Sequence, residues 1–365
     1  MSNGKYYLII VIFLFTLSSC MNRGGDDEGG LEVEMRSHGL FVVNEGNFMY
    51  DNASLSYYDF GSGEVINDVF FDVNGMALGD VAQSMTIKDS TGFVVVNNSG
   101  KIYAINTNTF KMIGKITGLT SPRYMHIVND EKAYVTDLYS YTIHIVNPST
   151  YEKIGEIDVH NGYKVEGTNF YQHATEQMVQ HGNLVFTNCW SYDNKILVIN
   201  TDNDEVVDSI ETIKQPQSMV IDKHDKLWVL CDGGFVGSAY GYEIGGLMRI
   251  DIQSMAVEQV IRFAYGDYPS ELTINKGGDT LYYLNKDVYR MNVSDTIPQV
   301  FLPRRGSATF GGYYGLFVNP SDSHVFVADA KNMTEPGEVI EWSATDASEI
   351  RRFKVGIIPG AFCMK

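Results

Sequence analysis

The chain contains a short apolar segment that usually ends in Asn or Asp and recurs seven times. The copies begin at positions 41, 94, 134, 185, 228, 282 and 326, so they recur every 40 to 54 residues. Segments such as Val94–Asn97 and Tyr134–Asp137 are rich in β-branched and aromatic residues, which favours strands over helices. A repeat of this length built from short strands is typical of a four-stranded propeller blade. We therefore expect an all-β, seven-bladed β-propeller.

A second recurring strand has polar residues at its start and often follows a proline. Its seven copies span 82–87, 122–127, 174–179, 216–221, 269–274, 313–318 and 359–364. The first apolar segment has no such strand before it, whereas the last polar-start strand ends the chain. We therefore predict that Pro359–Lys365 pairs with the strand that begins at Leu40 and closes the ring of blades.

The N-terminal residues predict a lipoprotein. Lys5 precedes an apolar run from Tyr6 to Leu17, which is too short for a membrane-spanning helix and ends in Leu17-Ser18-Ser19-Cys20. Small residues before a cysteine form a lipobox, so residues 1–19 are predicted to be a signal peptide and Cys20 the site of lipidation. Residues 20–38 are acidic and rich in Gly, as expected of a flexible tether. This leaves residues 39–365 for the propeller.

The residues after Cys20 also bear on localisation. Met21 occupies the position where Asp retains lipoproteins at the inner membrane of enteric bacteria. The acidic cluster Asp26–Glu28 resembles the export tags of surface lipoproteins in Bacteroidetes-type bacteria, although a solvated linker would have the same composition. We expect a protein held at the outer membrane by its lipid anchor alone and facing the cell exterior.

Charge and cysteine content narrow the possible partners. The formal net charge of −18 argues against nucleic acid, which needs a basic surface. Cys189, Cys231 and Cys363 have neither the even number nor the close spacing of a disulfide framework or a CxxC metal site. We expect buried or half-buried thiols, with a bridge between Cys189 and Cys231 as the alternative.

Aromatic residues are concentrated in loops that should share one face of the propeller. These loops follow the apolar segments or precede the polar-start strands, and they also contain many Gly, Asn and Gln residues. Rings with adaptable polar neighbours suit a large, partly flat ligand that carries amides or hydroxyls. The candidate ligand-binding residues are Phe48, Tyr50, Arg123, Tyr139, Tyr141, Tyr171, Trp190, Tyr192, Phe235, Tyr240, Tyr242, Tyr268 and Tyr313. The alternative is that individual rings only hold long loops against the blades.

The first residues of the polar-start strands should line the propeller axis. They could contact a ligand or only solvate the central channel, and the sequence leaves both readings open. The residues concerned are Gln83, Arg123, Gln177, Gln217, Ser270 and Glu271.

Signals for catalysis or a metal centre are weak. The sequence has no GxSxG or HExxH motif, and its eight His residues are scattered. His160 and His173 flank one loop of the ligand face, where we expect solvated side chains rather than metal ligands. The segment Asn200–Asp204 alternates oxygen donors but lacks the Gly and distal Glu of a calcium loop, so we expect a hairpin turn. No catalytic residue, metal ligand or cofactor is assigned.

Several motifs carry a family resemblance. The runs Leu40–Asn47, Asn52–Asp59, Gly79–Met85, Val95–Ile102 and Ser121–Tyr124 resemble the DUF5074, YncE-like (YVTN-type) surface propellers of Bacteroidetes. This group includes BtuG-like cobalamin-binding lipoproteins, and the resemblance covers nearly the whole mature chain. It implies a surface propeller that binds cobalamin or another corrinoid and delivers it to a TonB-dependent outer-membrane transporter. No binding motif matches residue by residue, so the candidate residues rest on loop position alone.

Two other functional classes remain open at this point. A propeller scaffold or adhesin would use the same aromatic face to bind a protein or glycan. A metal-dependent propeller hydrolase or lactonase would need Glu, Asn and Asp ligands at the axis, for which Glu271, Asn44 and Asp137 are the candidates.

Overall fold

The structure is a computed structural model that describes residues 38–162, 171–305 and 312–365. The predicted signal peptide, the lipidation site Cys20 and nearly all of the tether lie outside the described residues. Within the described ranges, no helix has the length and apolar character needed to cross a membrane.

The described residues form a succession of short strands with one short helix, α1 (Val69–Asn74). In chain order the strands are β1 (Gly39–Asn44), β2 (Ser54–Asp59), β3 (Val65–Ile66), β4 (Ala82–Lys88), β5 (Thr91–Val96), β6 (Lys101–Asn106), β7 (Met112–Ile116), β8 (Pro122–Ile127), β9 (Ala133–Asp137), β10 (Thr142–Val146), β11 (Lys153–Asp158), β12 (Thr175–His181), β13 (Leu184–Cys189), β14 (Lys195–Asn200), β15 (Glu205–Glu211), β16 (Pro216–Ile221), β17 (Lys226–Cys231), β18 (Gly246–Asp251), β19 (Val257–Arg262), β20 (Ser270–Ile274), β21 (Thr280–Asn285), β22 (Asp287–Asn292), β23 (Gln299–Leu302), β24 (Tyr313–Val318), β25 (Val325–Asp329), β26 (Pro336–Trp342), β27 (Glu349–Ile357) and β28 (Pro359–Met364).

These strands make seven antiparallel four-stranded sheets within the described ranges. Six blades, the second to the seventh, each use four consecutive strands, beginning with β4–β7 and ending with β24–β27. The first blade has the order β28-β1-β2-β3, so the last strand of the chain is its innermost strand. The predicted seven-bladed architecture and its closure by the C-terminal strand are therefore confirmed.

Backbone hydrogen bonds hold the closing strand along its length. Phe41 pairs with Cys363 and Val42 with Phe362. At one end of the strand the Lys365 nitrogen donates to the Gly39 oxygen (2.9 Å), and at the other the Glu45 nitrogen donates to the Ile358 oxygen (2.8 Å). Since β28 covers β1, the first blade has four strands like the other blades, and the inner edge of β1 is paired.

Apolar clusters fill the spaces between neighbouring blades. Phe41 and Val43 of the first blade pack with Val94 and Val96 of the second, while the alternate residue Val95 packs toward the third blade. Leu40 and its neighbours on the opposite face join the seventh blade. Because each blade is covered on both sides, its second strand is a continuous apolar run rather than an alternating one. This explains why that strand is the clearest sequence marker.

The helix α1 was not predicted from the sequence. It lies in the connection between the first and second blades and buries Val69 and Phe70 in the cluster between those blades. It ends at Gly75, whose positive φ of 64° suits a residue without a Cβ. With only six residues, it is too short for an apolar helical period to be visible in the sequence.

Candidate functional site

Each innermost strand has a β-bulge near its start, and this bulge sets the residues that face the axis. In the fourth blade, Thr175 pairs with Cys189 but Met178 pairs with Thr187, so Glu176 and Gln177 together oppose one residue. A bulge inserts extra residues into a strand and redirects their side chains. The bulge residues of the other blades are Gln83, Arg123 and Tyr124, Gln217, Glu271 and Leu272, Tyr314, and Gly360.

All of these bulge residues line one central cavity of about 780 Å³, which we call the axial cavity. The predicted axial residues Gln83, Arg123, Gln177, Gln217, Ser270 and Glu271 all belong to its wall. The wall extends to the loop face through Trp190, Asp232 and Tyr268. A cavity of this size lies within the range of small-molecule sites.

An ion pair joins two blades in the cavity wall. Arg123 Nε lies 2.7 Å from Glu176 Oε2, and the two side chains are 15 % and 5 % exposed. Burial raises the pKa of Glu176, an effect that the Arg123 guanidinium opposes. Oε1 of Glu176 is buried and has no hydrogen-bond partner among the described residues. The guanidinium therefore leaves donors available at the cavity wall, whereas Glu176 Oε1 is enclosed by protein atoms.

Glu45, which follows β1, occupies the position where the inner strand β28 of the first blade has only Gly360 at its bulge. A Cβ at Gly360 would lie 2.5 Å from Glu45 Oε1, so the glycine makes room for this carboxyl. Tyr314 donates a hydrogen bond from its hydroxyl to Glu45 Oε2 (3.1 Å). Burial nevertheless raises the pKa of Glu45 to about 7. Near neutral pH this group is therefore present in both protonation states.

Glu271 is a second carboxyl in the wall with altered acidity. Protein atoms surround it on the bulge of β20, and this burial raises its pKa to about 8, with the nearby Glu45 carboxylate adding to the effect. Its backbone has a φ of 60°, a conformation that non-glycine residues rarely adopt. The bulge thus holds a mostly protonated carboxyl toward the axis at neutral pH.

Two of the predicted axial glutamines also connect neighbouring inner strands. Gln177 Oε1 accepts a hydrogen bond from the Met219 nitrogen (2.7 Å), and Gln217 Oε1 accepts one from the Glu271 nitrogen (3.0 Å). The Ser84 hydroxyl similarly donates to the Arg123 oxygen (2.7 Å). The polar ring therefore has a structural role as well as lining the cavity, and this role was not among the two that the sequence left open.

The predicted ligand residues divide into three groups in the structure. Arg123, Trp190, Tyr268 and Tyr313 line the axial cavity. Other rings pack on neighbours: Tyr192 on Tyr240 (4.1 Å between centroids), Tyr242 on Tyr265 (5.4 Å) and Tyr141 on His160 (5.4 Å). The third group, Phe48, Tyr50, Tyr139, Tyr171 and Phe235, is exposed on the loops without lining the cavity.

Contacts between loops hold parts of the face together. The Tyr268 hydroxyl accepts a hydrogen bond from the Val236 nitrogen (3.0 Å), and the Tyr242 hydroxyl accepts one from the Gly266 nitrogen (2.9 Å). Asn47 Nδ2 donates to the Met333 oxygen (2.7 Å), which joins loops of the first and seventh blades. Several candidate rings thus contribute to the structure of the loops.

Trp190 combines cavity lining with a buried polar contact. Its Nε1 donates a 2.7 Å hydrogen bond to Asp232 Oδ2 in the next blade. Burial raises the pKa of Asp232 to about 6. The indole is therefore held in a fixed orientation at the cavity wall.

The axial metal ligands considered for a hydrolase do not come together. Only Glu271 of that set lines the axial cavity. Asn44 Nδ2 donates to Ser56 Oγ (3.0 Å), and Asp137 accepts the Thr120 and Ser121 nitrogens (2.8 and 2.9 Å). These two side chains fasten strand ends and loops instead.

The structure corrects the expectation for His173, whereas His160 is exposed on its loop as expected. His173 is not a solvated loop residue, because its Nδ1 lies 2.6 Å from Asp193 Oδ2 and its side chain is 16 % exposed. Its neighbour Cys189 and the equivalent Cys231 are buried free thiols and Cys363 is a half-buried one, as expected. The segment 200–204 is the hairpin turn between β14 and β15, also as expected.

The residues of the cavity wall that the sequence did not point to include Glu45, Glu176, Tyr124 and Tyr314. Three of them sit beside or within the bulges, adjacent to residues that were predicted. The sequence feature that points to Glu45 is Gly360. The other inner strands have larger side chains at the equivalent bulge position, so the glycine leaves space for a side chain from elsewhere. Neither the bulges nor this pairing can be identified before the strand register is known.

Comparisons with known proteins agree with the fold. Residues 38–355 match the family described as "Domain of unknown function (DUF5074)". No curated protein sequence matches the chain. The periplasmic gluconolactonase PpgL of Pseudomonas aeruginosa aligns with a TM-score of 0.65 at 13% identity, covering 90% of this chain and 99% of that chain. These similarities extend over most of the described propeller.

Two further solved structures are similar. A quinonprotein alcohol dehydrogenase-like protein from Bacteroides thetaiotaomicron aligns with a TM-score of 0.65 at 13% identity, covering 90% of this chain and 78% of that chain. Hydrazine synthase of Kuenenia stuttgartiensis aligns with a TM-score of 0.58 at 16% identity, covering 77% and 88% of the respective chains. At such identities the likeness concerns the fold alone.

Proposed function

Because this chain belongs to the DUF5074 family, we propose that it is a lipid-anchored surface propeller that captures cobalamin or a related corrinoid at its loop face. The observation that carries the proposal is the axial cavity with aromatic rings at its loop-face end and amide, guanidinium and carboxyl groups deeper in its wall. The resemblance to cobalamin-binding surface lipoproteins supports the same ligand class.

The chemistry of the cavity suits a flat ligand fringed with amides. Trp190, Tyr268 and Tyr313 offer apolar area at the end of the cavity nearest the loops, where a macrocycle would lie. Amide arms reaching further in would meet Arg123, whose Nη1 and Nη2 make no hydrogen bond with a described residue. The carbonyl oxygen of a ligand amide is an acceptor for these donors.

The anchor and the open loop face suggest the next step. A domain tethered through Cys20 at the outer membrane would present its ligand close to membrane transporters. We infer that a TonB-dependent transporter receives the corrinoid, and that exposed loop rings such as Phe48, Tyr50 and Phe235 contribute to that contact. Exposed aromatic residues are enriched at protein interfaces.

Calorimetric titration of the purified protein with cobalamin, cobinamide, haem and a glycan panel tests the proposal. We expect saturable heat with both corrinoids, because they share the macrocycle and its amide arms. Absence of heat with both cobalamin and cobinamide would overturn the proposal. Heat only with a glycan would support the adhesin alternative, and heat only with haem would indicate a different macrocycle.

A further inference from the structure

A second cluster of potential ligands lies in the fourth blade, outside the wall of the axial cavity. It comprises His173 just before β12, Cys189 at the end of β13 and Asp193 in the β13–β14 loop, and we call it the blade-four cluster. One donor atom from each residue lies within 4.8 Å of the donor atoms of the other two.

The fold brings these residues together through fixed backbone positions. Thr175 pairs with Cys189, which places the start of β12 beside the end of β13. The His173 nitrogen donates to the Val159 oxygen (2.9 Å), and the Asp193 oxygen accepts from the Gln215 nitrogen (2.7 Å). Hydrogen bonds therefore hold the backbone of all three residues without any contribution from a ligand.

The cluster is also shielded from water. Cys189 is fully buried, and the side chains of Asp193 and His173 are 8 % and 16 % exposed. Burial raises the pKa of the Cys189 thiol well above its usual value, and the Asp193 carboxylate adds to this effect. A neutral thiol, an imidazole and a carboxyl thus share a small, partly dry space that opens to solvent on the His173 side.

The donor set identifies the class of ion that would fit. Calcium and magnesium prefer oxygen ligands throughout, whereas zinc accepts sulfur, nitrogen and oxygen together. Three protein ligands with a fourth open position are a known zinc arrangement. We propose that His173, Cys189 and Asp193 bind a zinc-type divalent transition-metal ion, with water in the fourth position. This proposal does not depend on corrinoid binding.

The required movement is small. Ligand atoms around a tetrahedral zinc ion lie about 3.4–3.7 Å from one another, given metal–ligand distances of about 2.0–2.3 Å. The imidazole and carboxylate of His173 and Asp193, now 2.6 Å apart, would separate by about 1 Å. Binding transfers the Cys189 thiol proton to solvent and forms the metal–sulfur bond with the thiolate. No redox change is involved.

Bound metal would connect the loop before β12 to the loop that carries Trp190. Trp190 follows Cys189 directly and lines the axial cavity, and Tyr192 precedes Asp193. The ion would therefore fix the fourth-blade part of the loop face. A stabilising effect on folding follows, because an ion that binds the folded state alone raises its stability.

The neighbouring blade supplies a matched control. Cys231 ends β17 and pairs with Pro216, as Cys189 ends β13 and pairs with Thr175. The residue equivalent to His173 is Lys214, whose Nζ contacts the Tyr240 oxygen (2.5 Å). Among the described residues, the metal-ligand groups do not include Cys231. It is an equally buried thiol without an imidazole partner.

Cobalt titration of the full-length protein after chelator treatment tests the proposal. We expect a thiolate-to-cobalt charge-transfer band and visible absorption bands as intense as those of tetrahedrally coordinated cobalt. Excess zinc should remove both. C189S should remove the charge-transfer band, while C231S should leave it unchanged. H173Q and D193N should each weaken cobalt binding by about 10- to 100-fold or more. Loss of an outer-shell partner already has an effect of that size, and these residues are proposed to be direct ligands.

Several results would overturn the assignment. These are absence of the charge-transfer band in the folded wild type, equal loss of the band in C231S and C189S, or unchanged affinity in H173Q. Circular dichroism establishes that each variant is folded. If C189S fails to fold, H173Q still tests the site, because it alters a partly exposed loop position. Rapid alkylation of Cys189 without cobalt binding would instead indicate a Cys–His–Asp nucleophile and would also overturn the metal site.

Discussion

Arg123 of the third blade donates a 2.7 Å hydrogen bond through Nε to Oε2 of Glu176 in the fourth blade, with both side chains recessed in the cavity wall. Both charges of an ion pair in such a place lose their contact with water, which is unfavourable. Only good hydrogen-bond geometry between the two groups offsets this free energy. One Glu176 oxygen is buried without a hydrogen-bond partner, which adds to that cost, so the pair is not arranged for greatest stability.

Removing one partner of this pair should strongly destabilise the protein. We expect Arg123→Met to lower the free energy of unfolding by about 3–5 kcal/mol, because Glu176 would be left buried without its cation. Arg352→Met is the control, since Arg352 pairs with Glu349 at the surface and such pairs contribute about 0–1 kcal/mol. Urea denaturation measures both, and similar losses would contradict the assignment of a buried pair.

The stability of the protein should fall as the pH rises because of Glu271. Its pKa is about 8 in the folded protein and near 4.5 when unfolded, so the folded state holds the proton more tightly. This contribution is complete below about pH 4.5 and is lost as the pH rises to about 8. Between pH 5 and 8.5 the free energy of unfolding should fall less in Glu271→Gln than in the wild type. The difference between the two falls should exceed about 1.4 kcal/mol, the free energy of one pKa unit.

Other buried carboxyls also reduce the stability of the folded protein as the pH rises. The pH test therefore compares the wild type with the Glu271→Gln variant. The pKa values of Glu45 and Asp232 are also raised, to about 7 and about 6. The contribution of Asp232 is common to both proteins and cancels in the difference of urea-unfolding free energies. Glu45 interacts with Glu271, so the remaining difference reports this coupled pair of carboxyls. Parallel profiles for the two proteins would show that Glu271 is not buried as described.

Gly360 should be sensitive to addition of a single methyl group. Gly360→Ala places a Cβ 2.5 Å from Glu45 Oε1, so the carboxyl must move away from Tyr314. We expect a loss of about 1–3 kcal/mol, typical of overpacking. Adding Glu45→Ala should recover part of that loss in a double-mutant cycle measured by urea unfolding. Strictly additive effects would disprove the close approach.

Deletion of residues 359–365 should destabilise the whole propeller. The deletion removes the innermost strand of the first blade and leaves the backbone of β1 unpaired on that side. We expect a lower and broader thermal transition, followed by calorimetry or circular dichroism, with aggregation through the open edge. Lys365→Ala is the control, as it retains the strand, and an unchanged transition in the deletion would argue against closure.

Two cavity aromatics should matter for corrinoid affinity. Trp190 and Tyr268 line the axial cavity, so replacing both with Ala should weaken binding at least about tenfold, equivalent to about 1.4 kcal/mol. Ile297→Ala is the control, because this exposed residue lies in the β22–β23 turn at the opposite end of its blade. Calorimetry gives the affinities and thermal melting checks the fold. Equal affinity in the three proteins would show that the two rings do not bind.

Replacing Tyr192, Tyr240 and Tyr242 would be a poorer test of ligand binding, because none of these rings lines the axial cavity. Tyr192 packs on Tyr240, and Tyr242 accepts a hydrogen bond from the Gly266 backbone, so these rings support loop structure without lining the cavity. Tyr268 also supports a loop, but it lines the cavity as well. Sequence position placed them in the right loops. Only the contacts show which rings line the cavity and which support another loop.

The sequence alone determined the number of blades, the role of most strands and the assignment of the last strand to the first blade. These features follow from local patterns, because each apolar segment is covered by a blade on either side. The tertiary structure decided which side chains meet at the axis. Glu45, Arg123, Glu176 and Glu271 come from four different blades, and a bulge shifts the last three by one position. Their proximity and altered acidity arise from ring closure and burial, which no local pattern encodes.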